Sequence, residues 1–440
     1  MTRARLLLFV FAAFGAYTIA HGDVPLGGSE GEFAFKERIF LADMLDRFVI
    51  KGQAMCKLNV PTEQVPFISY NMPDNAYMTG IYLGALSLKY AVTQDAETRK
   101  QAGNALKGLD LLCNVTGIEG LLARAAVKLP APIQDDGEWS LSSDNQYVWR
   151  GDVSSDQMDG VFFGFALAYD HVANKKQRKR IKKNVQNLVD YLVACDLHII
   201  DIDGEPTTWG HYEPEYVMNY ENMNALLLLQ HLKIAEHVTG KKKYRKLYRK
   251  YANKKGYADI AITARVMGDP ITEVNHSDDV LQFLAYYPLL RLESDPTLRA
   301  KYLASLQRSW DGDDGYPGLS EKGCPLYAAA ADVFLNDTSG NADAINSLNW
   351  FPFGIKWAAT TITDYENEFG FTDDPSVESP EPGPGEMVPI DRRPNTWSTW
   401  VQNPYVAGDR NPNPGQEYNG HDYLIGYWLL RYEGIIGADA

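Results

Sequence analysis

Acidic and histidine side chains recur immediately before, or in the first turn of, segments that are apolar on nearly every side. The set is Asp156, Asp159, Glu221, Asp278, Asp279, His421 and Asp422. Helix capping explains any one of these acids, because a carboxylate near a helix N-terminus gains about 0.3–1 kcal/mol. Ser154 with Gln157 even fits a capping box. Several helices with acids at the same end also fit a second interpretation, a shared site.

The chemistry of such a site is glycoside hydrolysis. This reaction needs two carboxylates across a sugar, one protonated as general acid and one ionised as base or nucleophile. A helix N-terminus keeps a carboxylate ionised, whereas a neighbouring carboxylate raises a pKa by repulsion. We predict Asp156 and Asp278 as the catalytic pair, with Asp159 and His276 as further catalytic candidates. Adjacent Asp278 and Asp279 cannot both point into one cleft from a helix.

Two loops ahead of apolar segments carry aromatic and polar side chains together. They are Ile199–Tyr216 (IIDIDGEPTTWGHYEPEY) and Glu273–Asp279 (EVNHSDD). This combination suits sugars, which have apolar faces and hydroxyl edges, so a poly- or oligosaccharide is the predicted partner. The side chains predicted to bind it are Trp149, Arg150, Trp209, His211, Tyr212, Glu215, Glu221, Asn275, Asp279 and His421.

Polysaccharide lysis is the alternative reaction. A lyase neutralises a uronate carboxyl with Asn, His or Arg and removes the C5 proton with Tyr or His. The matching residues are Arg150, His211, Tyr212, Asn275 and His276. Residue types alone do not separate the two reactions. The negative net charge slightly disfavours an anionic substrate, so hydrolysis is favoured.

Helices have to position these side chains, and the hydrophobic period is helical along most of the chain. Segments that are apolar nearly all round, and so need cover on every side, alternate with amphipathic ones. The apolar segments include Ala76–Ala91, Val161–Ala168, Ala225–Leu229 and Val280–Leu290. The amphipathic segments include Glu97–Leu112, Lys175–Cys195, Lys241–Tyr251 and Thr297–Trp310.

This alternation predicts an all-α fold of helical hairpins, each with one inner and one outer member. About twelve helices make six hairpins, and six closing on themselves form an (α/α)6 toroid, a single domain over residues 33–436. An open solenoid should show a repeating sequence period, which is not evident. Residues Pro130–Arg150 are predicted as a small β-hairpin or loop insertion, and the proline-rich residues 372–415 as a long loop.

The N-terminus predicts export. Arg3 and Arg5 form a basic region, Leu6–Phe14 is a short apolar core, and small residues follow near Ala20 and Gly22. Residues 1–20 are therefore predicted as a signal peptide, and the mature protein as secreted and extracellular. No later segment is apolar for long enough to span a membrane. The net charge of −15 disfavours nucleic acid as a partner.

Other site classes have weaker signals. The four cysteines, which match no zinc motif, are expected as disulfides or buried free thiols, and no metal site or cofactor is predicted. Asn114, Asn275 and Asn336 begin glycosylation sequons. Asp201–Glu205 and Asp311–Gly315 are acidic loops considered for a structural calcium ion, although neither has EF-hand spacing. The cysteines are Cys56, Cys113, Cys195 and Cys324.

The run from DIDGEPTTWGHYEPEY to NHSDDVLQFLAYYPLLR resembles a pattern found in exported helical-toroid proteins, over Val148–Trp310. The wider (α/α)6 class includes glycoside hydrolases and polysaccharide lyases, so the resemblance implies the toroid and a carbohydrate-active enzyme. It carries over no catalytic residues. The rival hypothesis is a non-catalytic, acidic extracellular matrix protein, glycosylated and associated with calcium or mineral. Its support is export, negative charge and acidic loops.

Overall fold

The structure is a computed structural model that describes residues 31–130, 135, 137–268, 274–351, 387, 415–438 and 440. These residues are mostly helical with small sheets, which confirms the predicted helical class. The predicted signal peptide lies outside the described residues, and so does the proline-rich segment 372–415 except for residues 387 and 415. No helix of the described residues is both long enough and apolar enough to cross a bilayer.

The helices follow the predicted order of apolar and amphipathic segments, with boundaries close to those expected. The α-helices are α1 (Glu32–Asp43), α2 (Asn75–Thr93), α3 (Ala96–Leu112), α4 (Ser155–His171), α5 (Lys175–Ala194), α6 (Pro214–Asn219), α7 (Met223–Thr239), α8 (Lys242–Arg249), α9 (Tyr257–Ile260), α10 (Ser277–Leu292), α11 (Pro296–Asp311), α12 (Pro325–Leu335), α13 (Asn341–Trp350) and α14 (His421–Tyr432). Single π-turns, Met44–Phe48 and Lys250–Lys254, extend α1 and α8.

Six of these helices, α2, α4, α7, α10, α12 and α14, are buried along most of their length. Their contacts include a cycle within the described residues: α2 packs on α4, α4 on α7, α7 on α10, α10 on α12, α12 on α14, and α14 on α2, and α4 also packs on α10. Each also contacts a more exposed neighbour, namely α3, α5, α8, α11, α13 and α1 in the same order. The apolar helices therefore cover one another and are covered from outside, as their composition requires.

The strands are short and lie in segments that lead into the apolar helices. They are β1 (Val49–Ile50), β2 (Gln53–Ala54), β3 (Lys57–Asn59), β4 (Ser69–Asn71), β5 (Ala125–Lys128), β6 (Trp139–Leu141), β7 (Tyr147–Arg150), β8 (His198–Ile200), β9 (Pro206–His211), β10 (Gly312–Asp313), β11 (Tyr316–Pro317) and β12 (Gln416–Tyr418). All pairings are antiparallel, with orders β1-β2, β12-β3-β4, β5-β7-β6, β8-β9 and β10-β11. The hairpin expected within Pro130–Arg150 is β6-β7, which β5 extends to three strands.

The cysteines decide between the two sequence expectations. All four are free thiols, so the disulfide alternative is wrong for this structure. Each stands beside a different element: Cys56 between β2 and β3, Cys113 after α3, Cys195 after α5 and Cys324 before α12. Burial raises the pKa of the Cys113 thiol and raises that of Cys324 to about 12. Buried thiols with raised pKa values are unreactive.

Helices α2 and α4 approach so closely that glycine is required between them. A methyl group on Gly80 would overlap the backbone carbonyl of Gly160, and one on Gly164 would overlap that of Gly80. Backbone atoms cannot move aside as a flexible side chain can, so the two helices would have to separate. This contact fixes the distance between the helices that carry Asp74 and Asp156 at their N-termini.

We predict that Gly80→Ala lowers the free energy of unfolding by about 2–3 kcal/mol, the range of an overpacked core. The matched control is Gly103→Ala in α3, where the nearest atom is the flexible amide end of Gln177 at 3.0 Å. There the gain in helix propensity, up to about 1 kcal/mol, should leave stability unchanged or increased. Urea denaturation followed by circular dichroism measures both. Equal effects of the two substitutions would contradict the close contact.

Candidate functional site

The predicted acids at the starts of the buried helices do not cap them, because none of these acids is an N-cap residue: the N-cap positions of α4, α7, α10 and α14 are Ser154, Asn222, His276 and Gly420. No N-cap side chain of α2, α4, α7, α10 or α12 accepts a hydrogen bond from the first turn of its own helix. The predicted capping box is not formed, because Gln157 reaches the neighbouring helix: its Oε1 accepts from the Tyr77 amide (3.2 Å) and its Nε2 donates to Asp74 (3.0 Å). Capping therefore does not account for Asp156, the residue beside Gln157.

Three carboxylates from separate segments interact electrostatically: Asp156 in the first turn of α4, Glu221 just before α7, and Asp278 in the first turn of α10. All three are half-buried. Burial, and then the charge of Asp156, raises the pKa of Glu221 to about 7. Burial, and then the charges of Glu221, Asp156 and Asp279, raises the pKa of Asp278 well above its usual range. The helices α4, α7 and α10, which begin at or directly after these residues, pack on one another. We call Asp156, Glu221 and Asp278 the acid group.

Asp156 differs from the other two members because a cation lies nearby. Burial and the charge of Asp74 raise its pKa, and the guanidinium of Arg124 opposes them. Arg124 also forms ion pairs with Asp74 (3.6 Å) and Asp152 (3.9 Å). The first turn of α4 adds the positive end of the helix dipole. Asp156 is therefore the member best able to hold a negative charge.

Asp278 and Asp279 face different surroundings, as expected for adjacent helical residues. Asp278 accepts a hydrogen bond from the amide of exposed Asn275 (3.1 Å). Asp279 is buried and contacts Arg265 (3.2 Å) and His276 (3.1 Å). Burial raises the pKa of Asp279, but His276, Arg265 and Lys322 outweigh it and lower the pKa. Asp279 and His276 are thus an internal ion-pair network, and their burial argues against the predicted substrate-binding and catalytic roles.

Asp159 is also interior, contrary to the catalytic role predicted for it. Its carboxylate has no exposed surface and accepts a hydrogen bond from Gln230 Nε2 (2.8 Å). Gln230 continues to His231 (2.7 Å), and His231 to the hydroxyl of Tyr212 (3.2 Å). Burial raises the pKa of Asp159 well above its usual range and lowers that of His231 to about 3, so the network is uncharged. Tyr212 is buried in it and cannot contact a substrate as predicted.

The remaining predicted residues divide by exposure. Trp149 and His421 are fully buried, so their predicted substrate contacts are not available; His421 Nδ1 lies 2.5 Å from Asn419. Trp209 and Glu215 are exposed and stay predictions. Arg150 is paired with Asp135 (2.6 Å) and lines, with Arg124 and Asp152, a cavity of about 350 Å³. Arg124 thus lines this cavity and also interacts electrostatically with Asp156 of the acid group. The sequon residues Asn114, Asn275 and Asn336 are all exposed.

Two aromatic residues that the sequence reasoning missed lie beside the acid group. Tyr220 is 76% exposed and directly precedes Glu221, and its ring lies 5.7 Å from that of Tyr216 in α6. Tyr216 in turn stacks on His211 (4.9 Å). Burial and the charges of Glu221, Glu213, Asp278 and Asp156 raise the pKa of Tyr216, which places its ring near the acid group. The sequence feature that could have identified these two residues is the YxxxY spacing of Tyr216 and Tyr220 directly before Glu221.

The acidic loops considered for calcium use their carboxylates locally. Asp201 accepts from the amides of Asp152 (2.6 Å) and Ile202 (2.7 Å), and Asp313 pairs with Arg308 (2.6 Å). Within the described residues neither loop gathers three ligand side chains; a group that does is His198, His211 and Glu213.

No protein-family model and no curated protein matches the sequence. Among solved structures, the crystal structure of a sugar epimerase from a ruminal bacterium is similar over 72% of this chain and 87% of its own, with 11% identity and a TM-score of 0.39.

Glu221 should make the stability of the protein fall as the pH rises. Its pKa is raised from 4.5 to about 7 in the folded state, so between these values the unfolded chain loses a proton that the folded chain keeps. Glu221→Gln removes this penalty. We expect the variant to be more stable than the wild type by up to about 3 kcal/mol at pH 8 and equally stable at pH 4. Chemical denaturation across this range measures the difference. A difference independent of pH would contradict the raised pKa.

Proposed function

We propose that the six helix pairs form an (α/α)6 toroid and that the chain is a secreted carbohydrate-active enzyme. It hydrolyses a glycosidic bond at the N-terminal ends of the inner helices. The cycle of contacts from α2 through α4, α7, α10, α12 and α14 back to α2 supports the toroid. The observation that carries the function is that Asp156, Glu221 and Asp278 are half-buried at the starts of three helices that pack on one another, where their charges help to raise the pKa values of Glu221 and Asp278.

The roles follow from the environments of the carboxylates. Three coupled carboxyls cannot all be ionised near neutral pH, so one proton or more stays on the group. Burial and the charges of Glu221 and Asp156 raise the pKa of Asp278, which is the general acid. Asp156, with Arg124 nearby and the N-terminus of α4 behind it, is the base or nucleophile. Glu221 interacts electrostatically with both. Its negative charge disfavours a second negative charge on Asp278 and so keeps the proton there.

Hydrolysis is favoured over lysis because the cations near the group are already paired. Arg124 pairs with Asp74 and Asp152, Arg150 with Asp135, and His276 with Asp279. A lyase needs a cation or amide to neutralise a uronate carboxyl. Three carboxylates would also repel that substrate. A neutral sugar meets neither obstacle.

The substrate is therefore proposed as a neutral poly- or oligosaccharide whose ring stacks on Tyr216 and Tyr220. An exposed aromatic ring costs unfavourable contact with water unless a ligand covers it. Tyr220 is the most exposed of the large hydrophobic side chains among the described residues, and it adjoins Glu221. Secretion belongs to the same proposal and rests on the basic and apolar pattern of residues 1–20.

The catalytic assignment predicts that Asp156→Asn and Asp278→Asn each lower kcat by about 100- to 10,000-fold, since each removes one proton-transfer group. The control is Asp190→Asn, an acid on α5 that pairs with Lys243 (2.6 Å). Purified protein is incubated with a panel of neutral and uronate-containing polysaccharides. New reducing ends report hydrolysis, and absorbance of unsaturated products reports lysis.

Full activity in either Asn variant would refute the assigned pair. Unsaturated products would show that the reaction is lysis and would contradict the proposed hydrolysis. Inactivity of the wild type on every polysaccharide, together with calcium or mineral binding, would favour the matrix protein.

The stacking assignment predicts that Tyr220→Ala raises KM by about 3- to 10-fold with little change in kcat, the loss expected for one aromatic contact. Phe35→Ala is the control, because Phe35 is exposed on α1. Steady-state kinetics on the best substrate of the panel measures both constants. An unchanged KM for the Tyr220 variant would exclude Tyr220 from the sugar site.

A further inference from the structure

A second cluster of functional side chains lies on the β8-β9 hairpin and the residues that follow it. His198 and His211 are directly opposite each other in the antiparallel register, and Glu213 lies two residues after the end of β9. All three are half-buried. One ligand atom from each lies within 4.8 Å of the others. The sequence shows no such motif, since the two histidines meet only when the strands pair.

The two histidine–glutamate separations are those of neighbouring ligands of a tetrahedral metal ion. His198 Nε2 lies 3.4 Å from Glu213 Oε2, and His211 Nδ1 lies 3.5 Å from Glu213 Oε1. Two tetrahedral ligands, each about 2.0–2.1 Å from zinc, are about 3.3 Å apart. The observed separations are long for hydrogen bonds, whose usual range ends near 3.2 Å.

Two atoms of the cluster lack the partner that burial requires. His211 Nδ1 and a carboxylate oxygen of Glu213 are buried without a hydrogen-bond partner. Buried polar atoms in folded proteins are satisfied in the great majority of cases. A cation bound between the two rings and the carboxylate would satisfy both atoms at once.

The surrounding groups orient the rings as metal ligands. His198 Nδ1 lies 3.3 Å from the carbonyl oxygen of Cys195, an acceptor that favours the tautomer with the proton on Nδ1 and a lone pair on Nε2 for coordination. Such second contacts fix the tautomer in metal sites. His211 is held by the stacked ring of Tyr216 (4.9 Å), and Asn224 donates to its carbonyl (2.8 Å). The rings are therefore positioned before any ion binds.

We propose that His198, His211 and Glu213 form a binding site for a divalent transition metal, with zinc the best fit. Two imidazole nitrogens and one carboxylate oxygen are a ligand set that zinc accepts, with a fourth position left for water or substrate. The ion anchors β9 to the start of α6 and so steadies Tyr216, whose ring stacks on that of His211. The site does not depend on the glycosidase proposal.

The test uses the untagged full chain, stripped with chelator and dialysed, because a histidine tag would itself bind zinc. Calorimetry with Zn²⁺ should give one site per chain, and Co²⁺ should give the visible absorption of a tetrahedral complex. Zinc should raise Tm by about 3 °C or more at saturating concentration. His198→Ala and Glu213→Gln should each weaken zinc binding by more than about 100-fold, beyond the effect of losing a supporting group.

The matched control is His237→Ala, because His237 also pairs with a carboxylate, Asp170 (2.7 Å), but belongs to no group of three ligand side chains among the described residues. It should bind zinc as the wild type does. The proposal would be overturned if the wild-type protein did not bind stoichiometric zinc, or if both cluster variants still bound zinc. The cluster would then be an ordinary histidine–carboxylate pair. Circular dichroism shows whether each variant is folded; if His198→Ala is not, Glu213→Gln, which keeps the size of the side chain, decides.

Discussion

Repulsion among the carboxylates of Asp156, Glu221 and Asp278 is the interaction on which the proposed chemistry depends. Each charge raises the cost of the next, so the group retains a proton in a pH range where a single exposed carboxylate would lose it. Burial and this repulsion together cost stability, because they raise the pKa of Glu221 to about 7. Proteins accept such a cost where function uses it. The rest of the structure has to keep these three side chains close together although their charges repel one another.

Apolar packing supplies that restraint. The helices that carry these acids are buried on nearly all sides, and α2 and α4 meet backbone to backbone at Gly80, Gly160 and Gly164. Buried polar chains add direction: Gln157 ties α4 to Asp74, and Gln230 ties α7 to Asp159. These hydrogen bonds lie in the low-dielectric interior, where they are strong and help to fix how the helices face one another. The starts of these helices are then fixed in position, and only the side chains in their first turns can still change direction.

The histidine cluster and the acid group are neighbours joined by one short segment. Between Glu213 and Glu221 the chain forms α6 and presents Tyr216 and Tyr220 on the way. The ring of Tyr216 stacks on that of His211, and burial together with the charges of Glu221 and Glu213 raises the pKa of Tyr216. A bound cation at His198, His211 and Glu213 would pin one end of that segment. The aromatic rings would then be held against the acid group by a metal at one side and by α7 at the other.

The sequence by itself determined the helical class, the alternation of apolar and amphipathic helices, and the acids at their starts, because hydrophobic period and end residues are local properties of the chain. It could not decide which acids face outward. Asp156 and Asp159 are three residues apart on one helix, yet Asp159 is sealed beside Gln230. Nor could it show Arg265 and Lys322 around Asp279, or His198 opposite His211. Those outcomes depend on which surfaces meet, and pairings between residues distant in sequence exist only once the helices and strands have packed.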